Sequence, residues 1–134
     1  PTGISAATEQ VKAGKMRVLA VVNDTPVDTL PDAPVITDTL PDMSKFLPWG
    51  PFYGVFVKGD TPDDVKATLT RVFNTAAENE GFKTLMANRG NIVMNMSGQE
   101  AVDFLKKWQQ VTAWALQDTG AAKVNPETLG IMRP

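Results

Sequence analysis

Apolar and polar residues follow two rhythms along this chain. One has the helical spacing of three to four residues. The other is a set of short, continuous apolar runs bounded by turn residues. Residues 5–13 (SAATEQVKA) carry the helical spacing, with Ser5 as the expected N-cap and Gly14 as the left-handed stop. Residues 15–22 (KMRVLAVV) then read as a strand. The run RVLAVV lacks alternation, as a strand covered on both faces does. Residues 52–57 (FYGVFV) read as a second buried strand, with Gly54 marking a bend or a close backbone approach. A helix start follows over 60–64. Thr61 suits the N-cap, Pro62 the first helical position, and Asp63 and Asp64 the positive end of the dipole. Val65, Leu69, Val72, Phe73 and Ala76 lie at helical spacing on one face.

Gly81 punctuates, and residues 82–87 predict a short helix followed by a turn at Asn88-Arg89-Gly90-Asn91. Residues 92–96 (IVMNM) read as a third strand. Ser97-Gly98-Gln99-Glu100 matches a capping box and opens the longest helix. Its apolar stripe is Ala101, Phe104, Leu105, Trp108, Val111, Thr112 and Ala115, and Gly120 is its stop. Residues 121–134 show little periodicity. Helix, tight turn and buried strand in succession predict an α/β layered fold.

Residues 23–51 break the pattern. They hold Pro26, Pro31, Pro34, Pro41, Pro48 and Pro51, six of the ten prolines, so no long helix passes through them. Val35 to Leu40 has room for a helical turn. A segment this rich in proline is expected to be a rigid, packed connection.

Composition narrows the function. At 134 residues the chain has the size of one ordinary domain, and its 43% apolar and 21% charged residues are those of a soluble globular protein. No apolar run approaches the roughly 20 residues that span a bilayer. The net charge is −2 and the cations are dispersed, which argues against nucleic acid. There is no cysteine, so disulfides and thiolate chemistry are excluded. There is no histidine either, which removes the commonest general base and the commonest metal ligand.

Four groups of side chains invite a chemical reading. Asp60, Asp63 and Asp64 are close enough in sequence to suggest a cation site, but a helix N-terminus explains them better. The hydroxyls of Thr2, Ser5 and Thr8 have no base beside them. The loop Thr2-Gly3-Ile4-Ser5 instead runs into a helix N-terminus, a place where backbone N–H groups hold anions. Trp49, Phe52 and Tyr53 gather beside Pro and Gly, as pocket walls or, more commonly, as core or hinge packing. Met86, Met94 and Met96 read as core filler. No catalytic residue, metal site or cofactor motif emerges, and binding is favoured over catalysis.

The order of motifs resembles one receptor family. Residues 11–21 (VKAGKMRVLAV) are similar to the I-x-A-G-K-L-R-x-L-A-V segment of the substrate-binding proteins of tripartite tricarboxylate transporters, the Bug receptors. Residues 30–36 (LPDAPVI) resemble their L-P-D-V-P-T-x-x-E box. Trp49-Gly50 and residues 53–62 (YGVFVKGDTP) resemble W-x-G-L-F-A-P-A-G-T-P. Thr37 and Asp38 depart from the usual Ala-Glu, and Val57-Lys58-Gly59-Asp60 replaces Ala-Pro-Ala-Gly.

The resemblance implies a type II periplasmic-binding-protein-like fold, with this chain as the C-terminal half of a two-lobe receptor. On that expectation residues 1–51 finish the second lobe, 52–58 form the inter-lobe hinge strand, and 59–134 return to the first lobe. It also implies a periplasmic receptor, exported by a signal peptide outside this chain, that is not an enzyme and uses no cofactor. Such a receptor closes on a small carboxylate, held largely by backbone N–H groups, and delivers it to membrane permease subunits. Thr2, Gly3, Ser5 and Ala6 are then the first ligand-binding candidates and Trp49 the second. Lobe faces left uncovered predict a homodimer. The rival readings are a free-standing α/β interaction module without a small ligand and an enzyme working with Asp or Glu alone.

Overall fold

In a computed structural model, residues 2–134 are described. They form five α-helices: α1 (Ile4–Lys12), α2 (Ile36–Thr39), α3 (Asp63–Ala77), α4 (Glu80–Asn88) and α5 (Gly98–Asp118). Two 3₁₀ turns, Pro41–Phe46 and Pro126–Leu129, complete the regular structure. No described helix is long and apolar enough to cross a membrane. The chain divides into two compact units. One comprises residues 2–16 with Pro51–Ala101, the other Arg17–Gly50 with Val102–Pro134.

The helix stops were legible because they rest on local geometry. After α1, Gly14 (φ 69°) donates its N–H to Val11 O at 2.9 Å, and Lys15 donates to Gln10 O at 2.9 Å. Gly90 and Asn91 repeat this pairing on Ala87 and Met86 after α4, as do Gly120 and Ala121 on Gln117 and Leu116 after α5. Each is a Schellman closure that satisfies carbonyls the helix leaves unpaired.

The starts shift slightly. The cap of α1 is Gly3 rather than Ser5, because Gly3 O takes the N–H groups of Ala6 and Ala7. The cap of α3 is Pro62 rather than Thr61. Pro62 has ψ 145°, outside the helical range, and its carbonyl accepts from Lys66 N. Thr61 stands before a proline, where the helical conformation is disfavoured. Gly81 lies inside α4, which Asn79 caps by accepting from Phe82 N at 3.0 Å.

The three predicted strands do not form among the described residues, so the expected α/β layering is not seen in them. What remains of it is a single parallel bridge between Val21 and Val35, in which Val21 N donates to Pro34 O and Ile36 N to Val21 O, both at 2.8 Å. A strand exists only through neighbours that take its backbone groups. Among the described residues the segments 15–20, 52–57 and 92–96 enter no strand ladder. Their side chains show the consequence: Leu19 is 75%, Tyr53 91% and Val55 72% exposed. The face of α3 that carries Val65, Leu69 and Val72 is exposed for the same reason.

The buried apolar residues belong almost entirely to the second unit. The proline-rich segment supplies Val27, Leu30, Ala33, Val35 and Leu47 beside Val21, and α5 supplies Val111 and Trp114. Each valine or leucine among them contributes about 1.5–3 kcal/mol when fully buried. The prolines limit the unfolded chain's freedom, so this non-regular segment packs at a reduced entropy cost. In the first unit the buried residues are Thr8, Ala77 and Gly90.

Candidate functional site

Backbone geometry at the start of α1 sets the first candidate site. A helix leaves its first N–H groups without intrahelical acceptors. Most helices cover one of them with a Ser, Thr, Asp or Asn side chain. Here the cap is Gly3, and no side chain makes a capping hydrogen bond. Thr2, Gly3, Ser5 and Ala6 are all exposed around this turn. Thr8, grouped with them by its hydroxyl, has a different role. It is 1% exposed and its Oγ1 donates to Ile4 O at 2.8 Å, which ties up the hydroxyl and pins the first turn.

Gly90 completes this corner and was not singled out by sequence. It is buried, and a Cβ built on it would lie 3.0 Å from both Ile4 Cγ2 and Thr8 Oγ1 and 3.2 Å from Ser5 N. The turn that closes α4 therefore sits directly against the N-terminal turn of α1. The signal was a glycine in a predicted turn; only the fold shows what the missing side chain makes room for.

Trp49 lies in the other unit. Its neighbours are fixed: Leu47 is buried, and Gly50 O accepts from Trp108 Nε1 of α5 at 2.8 Å. The Trp49 ring is nonetheless 46% exposed. An indole held at its base and open to solvent is available for stacking on a ligand. Phe52 and Tyr53 belong to the first unit, and of the core or hinge packing expected for them the 91% exposure of Tyr53 excludes the core for that residue.

Two grooves have none of the predicted site residues in their walls. One of about 320 Å³ runs along α5 between Val102, Leu105, Lys106, Trp108 and Gln109. The other, of about 520 Å³, lies between α3 and α4, lined by Arg71, Val72, Thr75, Ala76, Asn79 and Phe82. Among the described residues no three acidic side chains converge as a metal-holding group. At the head of α3, Lys66 Nζ reaches Asp63 at 3.3 Å and Gly59 O at 2.9 Å, so one carboxylate of the Asp60–Asp64 group has an internal cation.

The model of the tripartite tricarboxylate transporter family receptors matches residues 2–118. The chain belongs to that family. Receptors of tripartite tricarboxylate transporters have a periplasmic-binding-protein-like fold and act as periplasmic substrate-binding proteins for a transporter, not as enzymes. The match runs from the Thr2 loop to the last residue of α5, and so includes Gly3, Ser5, Ala6, Trp49 and Gly90. No curated protein and no solved structure matches the chain significantly.

Proposed function

We propose that this receptor chain binds a small carboxylate and serves its delivery to the membrane permease subunits of a tripartite transporter. The supporting observation is the glycine-capped start of α1. No side chain caps that turn, and the helix dipole favours negative charge there. Thr2, Gly3, Ser5 and Ala6 line the carboxylate site; the N–H of Ala6 is bonded to Gly3 O, so Ala6 contributes by position and Ser5 through its hydroxyl as well as its backbone. Trp49 is a second contact, through its indole face. A backbone site needs neither histidine nor a cationic cluster, in keeping with the composition. On the same reading, residues 52–58 are the crossing between the receptor's lobes.

The test is a thermal-shift series with di- and tricarboxylates. A ligand at a hundred times its Kd stabilises the folded protein by about 2.7 kcal/mol. One class of carboxylate is expected to raise the melting temperature in proportion to the logarithm of its concentration. Ser5→Ala and Trp49→Ala are expected to weaken that response without loss of the fold. No shift with any carboxylate would end the ligand assignment, and unchanged affinity in both variants would end the assignment of these contacts.

A further inference from the structure

Residues 126–134 lie beyond the part of the chain that matches the receptor family. They are nevertheless tied closely to α5, within one unit. Asn125 accepts from Glu127 N at 3.0 Å and Thr128 Oγ1 donates to Asn125 O at 2.7 Å, which closes the 3₁₀ turn Pro126–Leu129. Gly130, left-handed at φ 72°, ends that turn. Three successive residues beyond it then engage α5. The Trp114 indole N–H donates to Ile131 O at 3.0 Å, and Gln110 Nε2 to Met132 O at 3.4 Å. Arg133 makes two parallel bonds to Asp118, Nη1 to Oδ2 at 3.0 Å and Nη2 to Oδ1 at 2.9 Å. Its guanidinium carbon also stands 4.2 Å from the centre of the Trp114 ring.

These contacts differ in kind from ordinary tail packing. The bonds to α5 come from side chains of one helix, at 110, 114 and 118, the spacing of a single helical face. The guanidinium fork matches a carboxylate edge-on while its plane stacks on an aromatic ring, which a lysine cannot do. Trp114 is only 9% exposed, although the spacing of apolar residues on α5 did not place it in the buried stripe. Its indole N–H and its ring face both have their partners in residues 131–133.

We infer that residues 126–134 are a strap that closes over the 110–114–118 face of α5 and opens independently of the rest of its unit, with Arg133 as the latch. Closed, the strap covers Trp114 and takes its indole N–H. Open, it exposes the indole and frees the Asp118 carboxylate. The device rests on side chains that reach across a turn, so it can be unlatched without unfolding α5.

Hydrogen exchange of the Trp108 and Trp114 indoles in the full chain, followed by NMR, tests this. Trp114 reports the strap, and Trp108, bonded to Gly50 O in the same unit, reports the rest. In Arg133→Ala the Trp114 indole is expected to exchange about tenfold faster, as a charge-assisted bidentate pair is lost, while Trp108 keeps its rate. Arg133→Lys, which retains the charge but neither the fork nor the stack, is expected to behave similarly. Asp118→Asn, which preserves the side chain's shape, provides a milder unlatching. Unchanged Trp114 exchange in all three variants would overturn the latch. Parallel acceleration of both indoles, or loss of the whole fold, would overturn the independence of the strap.

Discussion

A methyl group on residue 90 would meet Ile4 Cγ2 and Thr8 Oγ1 at 3.0 Å, and Gly90 already holds φ 70°. Both the left-handed backbone and the close approach oppose any side chain. Gly90→Ala is therefore expected to destabilise the protein by about 1–3 kcal/mol, the usual cost of overpacking. A urea melt checks this through its midpoint; an unchanged midpoint would show that the α4–α1 contact is softer than drawn. Ser5, by contrast, caps nothing, so Ser5→Ala separates ligand binding from folding. At this scale the sequence was informative about conformation and silent about neighbours. Gly14, Gly90 and Gly120 are recognisable as stops because a positive φ is a local demand. Nothing local marks Gly90 as the wall of the α1 turn, or Thr8 as a buried hydroxyl turned back on its own helix.

Among the elements, helices were legible and strands were not. The stripe Ala101, Phe104, Leu105, Trp108, Val111, Thr112 and Ala115 is buried or half-buried, because the α-helical period alone aligns those side chains. The strap is not legible in the sequence for the opposite reason. It has no period, and its contacts to α5 are set by individual groups. Its latch also gives the element a pH dependence. The hydrogen bonds from Arg133, aided by its charge and opposed by desolvation, hold the Asp118 carboxyl below its ordinary value of 3.8. With the folded pKa depressed, the stabilisation is present above that ordinary value and is lost as pH falls through the lower folded value. The Trp114 indole N–H shift is expected to titrate below the ordinary carboxylate range and to lose that inflection in Asp118→Asn. A titration unchanged by Asp118→Asn would separate the acid response from this pair.

For the molecule as a whole, the run Tyr53, Val55, Phe56 and Val57 is exposed. A segment with strand-forming side chains and no ladder is a template for pairing with another chain. The occupant we propose is a second copy of this chain, so sedimentation velocity is expected to show a dimer at micromolar concentration. Val55→Lys is expected to shift the population to monomer, and a monomer at every concentration would refute the pairing. The candidate site was legible in part. The anion-binding potential of the Thr2–Ala6 loop follows from a loop running into a helix. The choice of Gly3 as cap, which leaves the N–H groups uncovered by any side chain, required coordinates.

The sequence by itself determined the helices, their stops, the proline-stiffened segment and the family, because each rests on residue order over a few turns of chain. It also restricted the chemistry, since a chain without Cys or His has few routes to covalent or zinc-dependent catalysis. Tertiary structure decided which apolar segments are buried and which remain open. It decided that residues 15–20, 52–57 and 92–96 form no ladder among the described residues, and that residues 131–133 fold back on Trp114. Those outcomes depend on partners distant in the chain. Burial and strand pairing are properties of two surfaces together, and no local pattern specifies the second one.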